Sequence, residues 1–99
     1  MLNIQKMIEN GKETIVLEGM LDTNTAPDLE KELGDVPESV TELTFDLEKL
    51  EYISSSGLRI LLSAQKTMNR QGRMKVIHVC GTVMEIFEIT GLADVLTIE

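Results

Sequence analysis

Apolar and polar positions alternate in three places along the chain and recur at helical spacing in three others. Residues 2–8 and 12–18 carry a two-residue period and predict two strands, and Asn10-Gly11 between them is a hairpin signal. Thr14-Ile15-Val16-Leu17 is rich in strand formers. Gly19 to Asp22 leave the strand, and Thr25 is a cap residue for a helix opened by Ala26 and Pro27, with Asp28 in its first turn. Leu29 and Leu33, spaced i, i+4, mark the buried edge of that helix. Gly34 and Pro37 end it.

A third strand is expected over Val40 to Leu47, with Leu43, Phe45 and Leu47 on one face and residues 48–53 as a connector. Ser54-Ser55-Ser56-Gly57 follows. Leu58, Ile60, Leu61, Leu62, Ala64 and Met68 then form a wide apolar stripe over a helix from Leu58 to Asn69. Met74 to Cys80 is almost wholly apolar and predicts a strand covered on both faces. Gly81-Thr82 opens a last helix closed by Gly91, and Leu92 with Val95 to Ile98 gives a short final strand. The expected fold class is α/β, order β-β-α-β-α-β-α-β, with a mixed, mostly parallel sheet of four or five strands. Residues 1–99 are expected to form one domain.

The serine run stands out. One serine suffices to cap a helix, so three in succession call for a second account. Gly57 is expected to turn the backbone tightly and leave Ser56 uncovered at the positive end of the helix. Charge adds to this. The net charge is −8, yet residues 59–75 hold 5 basic side chains and no acidic one. Arg59, Ser63, Lys66 and Arg70 share the face opposite the apolar stripe. They form either a solvated helix face or a local field that welcomes an anion near Ser56.

Several classes are excluded or unsupported. The acidic balance argues against direct nucleic-acid binding. No apolar run approaches the roughly 20 residues of a membrane span, and the N-terminus lacks a signal-peptide pattern. The single cysteine, Cys80, excludes an internal disulfide framework, and a cytoplasmic protein is expected. The single histidine, His78, reads as a core or edge residue of an apolar strand. No His/Cys cluster has metal-ligand spacing, no phosphate loop is present and Ser56 has no evident base, so neither cofactor nor catalysis is expected.

Three motifs carry a family resemblance. Gly19-Met20-Leu21-Asp22-Thr23-Asn24-Thr25-Ala26 resembles the Gly-x-Leu-Asp-x-x-Thr-Ala segment of the STAS domain, and specifically of the bacterial anti-sigma factor antagonists. Phe45-Asp46-Leu47 with Leu50, Tyr52 and Ile53 resembles that family's third strand. Ser55-Ser56-Gly57-Leu58 resembles its phosphorylation loop, and Gly91-Leu92 before Val95-Leu96 also fits. The resemblance implies that Ser56 is phosphorylated by an anti-sigma factor that is also a serine kinase. It implies that the unmodified form binds this partner and frees the sigma factor, and that a PP2C-type phosphatase reverses the modification. Asp22, Thr23, Asn24, Ser54, Ser55, Gly57, Leu58 and Arg59 are the expected partner-binding residues. Ser54 is a departure, standing where the family has an acidic residue. The alternative is a non-switching STAS subunit of a larger signalling or lipid-transport assembly.

Overall fold

The Asn10-Gly11 pair turns the chain back on itself with φ values of 52° and 78°, the left-handed conformations that a tight hairpin requires. It joins β1 (Leu2–Glu9) to β2 (Lys12–Leu21) as antiparallel neighbours, with Glu9 opposite Lys12. The computed structural model describes residues 1–34 and 36–99. After β2 come α1 (Ala26–Leu33), β3 (Glu42–Ile53), α2 (Ser55–Gln71), β4 (Arg73–Ile77) and α3 (Gly81–Thr90). The strands lie in the order β1-β2-β3-β4, and both β2–β3 and β3–β4 are parallel. Parallel neighbours need a crossover, and α1 and α2 supply them.

Ile15 and Leu17 of β2, Leu43, Phe45 and Leu47 of β3, and Met74 and Val76 of β4 are all buried. They share one core with Leu29 of α1, Leu61, Ala64 and Met68 of α2, and Val83 and Phe87 of α3. The intervening positions Thr14, Val16, Thr44, Asp46, Lys75 and Ile77 are only half-buried. The sheet therefore has one packed face and one face open to water. This corrects the expectation that the fourth strand is covered on both sides. Strand β4 also stops at Ile77, and His78 follows it exposed, so His78 is not a strand histidine.

Strand β3 runs to Ile53, which replaces the connector expected at residues 48–53. The pairing with β2 shifts register twice, between Val16 and Glu18 and between Gly19 and Met20. Each bulge inserts one residue, so the inward positions change spacing from two to three. Leu47, Leu50 and Ile53 thereby all reach the core. A three-residue period does not read as a strand in sequence.

The final strand is reduced to one parallel bridge between Ile98 and Val76. A 3₁₀ turn at Leu92–Asp94 leads into it, and the N–H groups of Val95 and Leu96 donate back to Leu92 O at 3.0 and 2.8 Å. Those two residues are thus committed to a turn rather than a ladder.

One core-facing position of β2 is polar. Glu13 is 2% exposed, and its Oε1 has no hydrogen-bond partner among the described residues. Burial pushes its carboxyl above the ordinary value of 4.5, and the nearby Lys6 ammonium works against that rise. A raised folded pKa means that the folded state binds more protons than the unfolded one above about pH 4.5, so stability falls as pH rises through this range. Glu13→Gln is therefore expected to melt higher than the parent at pH 7, with the gain shrinking towards pH 4.5. Thermal melts across pH measure this, and a gain independent of pH would contradict it.

Candidate functional site

The C-terminal ends of β2 and β3 meet the N-termini of α1 and α2 at one end of the sheet, where loops after parallel strands gather. The N–H of Ser54 donates to Leu21 O at 2.8 Å, which ties the start of α2 to the end of β2. Ser54 is the N-cap of α2. Its backbone carbonyl accepts the first helical bond from Leu58 N at 2.9 Å, and its hydroxyl accepts from Gly57 N at 3.4 Å. Ser55 and Ser56 occupy the first turn, where backbone N–H groups have no partner within the helix. Ser55 is exposed and Ser56 half-buried. The three serines thus have three different situations.

Gly57 corrects the expectation of a tight turn. It lies inside the helix without a positive φ. A Cβ there would sit 2.7 Å from Leu21 Cγ, 2.8 Å from Leu21 Cδ2 and 2.9 Å from Ile53 Cγ1. Both neighbours are fully buried, so neither can swing aside cheaply. Gly57 is a close-approach glycine that lets the first turn of α2 rest on β2 and β3. Leu58 is 7% exposed and also belongs to the core.

The loop after β2 is closed reciprocally. Asp22 Oδ1 accepts from Asn24 N at 2.9 Å and Thr25 N at 3.0 Å. Thr25 Oγ1 donates to Met20 O at 2.8 Å and accepts from Asp22 N at 2.9 Å. Thr25 is the cap position of α1, but its hydroxyl faces backwards and makes no capping bond. The Asp22 carbonyl accepts from Ala26 N at 2.8 Å instead. The Thr25 N–H beside Asp22 holds its carboxyl below the usual range, aided by the Thr25 hydroxyl and the Asn24 N–H and opposed by partial burial.

Between α1 and α2 lies an open groove of about 560 Å³. It gathers Thr23, Ser56, Arg59 and Ser63, four of the residues singled out from sequence, and adds Glu30. Glu30 carried no signal of its own, although its i+4 spacing from Ala26 puts both on the groove side of α1. Arg59 is exposed and forms no ion pair among the described residues. The Arg59 guanidinium, unpaired among the described residues, and the positive end of α2 therefore flank a half-exposed hydroxyl in a chain of net charge −8. Asn24 is exposed outside the groove lining.

The family model of the STAS domain matches residues 4–99. The chain belongs to the STAS domain family. The anti-sigma-B factor antagonist of Staphylococcus aureus is 29% identical over 97 residues, covering 96% of this chain and 90% of that relative. SpoIIAA, an anti-sigma factor antagonist, is similar in its unphosphorylated form with a TM-score of 0.82 at 22% identity, covering 98% of this chain and 88% of that one. The Bacillus SpoIIAA in its phosphorylated form gives 0.75 at 21% identity, covering 98% and 91%. These likenesses bear out the expected STAS fold. The Ser54 departure also has a structural setting, since serine and aspartate cap a helix about equally well.

Gly57→Ala in this STAS domain gains helix propensity of up to about 1 kcal/mol but overpacks a closed contact at about 1–3 kcal/mol. The expected net effect is a destabilisation of about 1 kcal/mol, lowering Tm by roughly 4–8 °C. Circular dichroism melts measure it. A variant as stable as the parent would remove the close-approach role.

Proposed function

We propose that this STAS domain is an anti-sigma factor antagonist, a binding module rather than an enzyme, switched by phosphorylation of Ser56. The unmodified chain binds an anti-sigma factor that is also a serine kinase, and so frees the sigma factor. That kinase transfers the γ-phosphoryl group of ATP to Ser56 Oγ, releasing ADP and the hydroxyl proton, and a PP2C-type phosphatase removes the group by hydrolysis. The observation that carries this reading is the placement of Ser56, half-exposed in the first turn of α2, with Arg59, unpaired among the described residues, lining the same groove. The anti-sigma factor antagonists among its relatives support the class of partner.

The chemistry of the site favours a switch at the surface. A phosphate adds about −1.5 to −2 charges at pH 7. At Ser56 it meets unpaired N–H groups, the positive end of the helix and Arg59 within one turn. The modified chain accommodates that charge without losing its fold. A closely packed partner does not, because the added bulk and charge fall in the contact. The exposed Thr23 and Asn24, held by the Asp22 turn, flank Ser56 at the same end of the sheet and complete the proposed contact surface with Ser54, Ser55 and Arg59. Gly57 and Leu58 serve that surface from below, by seating the turn on the core. No helix among the described residues is long and apolar enough to cross a membrane, and the proposed partners act in the cytoplasm.

Ser56→Ala and Ser56→Asp separate folding from switching. Ser56→Ala keeps a small neutral contact and is expected to bind the anti-sigma factor as tightly as the unmodified parent. Ser56→Asp is expected to melt no lower than Ser56→Ala, because a carboxylate near a helix N-terminus is worth about 0.3–1 kcal/mol, yet to bind at least about tenfold more weakly. Calorimetric titration against the partner and thermal melts give both quantities. Equal binding by the two variants would reject charge at Ser56 as the switch and favour the non-switching subunit.

A further inference from the structure

The open face of the sheet carries a cluster unrelated to the serine site. Asp46 and Glu48 stand two apart on β3, so their side chains leave the same face. Asp46 pairs with Ile77 in β4, and His78 is the next residue. His78 has a φ of 57°, a left-handed backbone at the strand end. Its Nδ1 lies 3.0 Å from Asp46 Oδ1 and 3.7 Å from Glu48 Oε1. Ligand-capable atoms of all three residues fall within 4.8 Å of one another.

These separations can be compared with a real coordination shell. Bonds of about 2.0–2.1 Å at tetrahedral angles place neighbouring ligand atoms roughly 3.4 Å apart. The observed 3.0 and 3.7 Å bracket that value. Two of the three groups are partly fixed before any ion arrives. The Asp46 side chain is 21% exposed and its Oδ1 accepts from Glu48 N at 3.1 Å, while the His78 ring is drawn to Asp46. The donor set is chemically informative as well. One imidazole and two carboxylates suit zinc and similar borderline divalent ions, whereas magnesium and calcium favour all-oxygen shells.

We propose that Asp46, Glu48 and His78 form a surface site for a divalent transition-metal ion of the zinc class, with water completing the shell. Without the ion, Nδ1–H donates to Asp46. The ion takes the place of that proton, the ring keeping its one N–H at Nε2, and binds both carboxylates together with Nδ1. Bound there, it joins β3 to the segment between β4 and α3, linking residues 32 positions apart in the chain.

Titration of the whole chain with zinc chloride by calorimetry tests the site, with magnesium and calcium chloride as comparisons. One zinc ion per chain is expected, with far weaker magnesium and calcium uptake. His78→Asn removes the ring nitrogen and tolerates the left-handed backbone. It is expected to weaken zinc binding by about tenfold or more. Cys80, two residues further on, offers a competing thiol, but the residue is half-buried and its Sγ–H donates to Leu50 O at 3.4 Å. Cys80→Ser is therefore expected to bind zinc like the parent. Zinc should also raise the Tm of the parent and of Cys80→Ser but not of His78→Asn. Absence of zinc uptake would reduce the cluster to an ion pair. Unchanged affinity in His78→Asn, or its loss in Cys80→Ser, would also overturn the assignment.

Discussion

The approach of α2 to the ends of β2 and β3 is the constraint on which the rest depends. A helix backbone comes this near to two strands only where its residue has no Cβ, and Gly57 is that residue. Leu21 and Ile53 fill the space beneath it, and the Ser54 N–H to Leu21 O bond fixes the register of helix against strand. From that contact the first turn of α2 follows. Ser54 faces the helix end as a cap, Ser55 faces solvent and Ser56 faces the groove along α1. A longer side chain at position 57 would lift this turn and change what each serine meets.

The two bulges in β3 serve the same geometry. They carry the strand to Ile53 while keeping Leu50 and Ile53 inward, so the floor under Gly57 is made of core residues. The Asp22 turn does the corresponding work for α1, starting it beside α2 with a carboxylate stabilised by backbone N–H groups. The supports of the site are thus closed by core packing and backbone hydrogen bonds, and its groove is open. Arg59 lines that groove beside the N-terminus of α2 and forms no ion pair among the described residues, in a chain of net charge −8.

Much of this was legible from residue types. The Asn10-Gly11 hairpin, the breaks at Gly34 and Gly91 and the helical stripe of Leu58, Leu61, Ala64 and Met68 each carry a local signal. The features that escaped depend on distant pairing. The extension of β3 depends on slippage against β2, which replaces a two-residue period with a three-residue one. The last strand failed because the Leu92 carbonyl captures the N–H groups of Val95 and Leu96. The sequence singles out Gly57 for a turn, since it does not show that Leu21 lies beneath that residue. Asp46 and His78 meet only through the β3–β4 register, so no local spacing could reveal them.

The central proposal is that Ser56 sits on a preformed support, so that a phosphate placed there would alter a surface and not a fold. The most direct measurement is the amide NMR spectrum of the chain carrying phosphoserine at position 56, compared with the unmodified chain. The account expects shift changes confined to the first turns of α2, the groove side of α1 and the Asp22 to Thr25 turn, with the strand amides unmoved. Changes spread through β1 to β4, or a collapse of spectral dispersion, would contradict it.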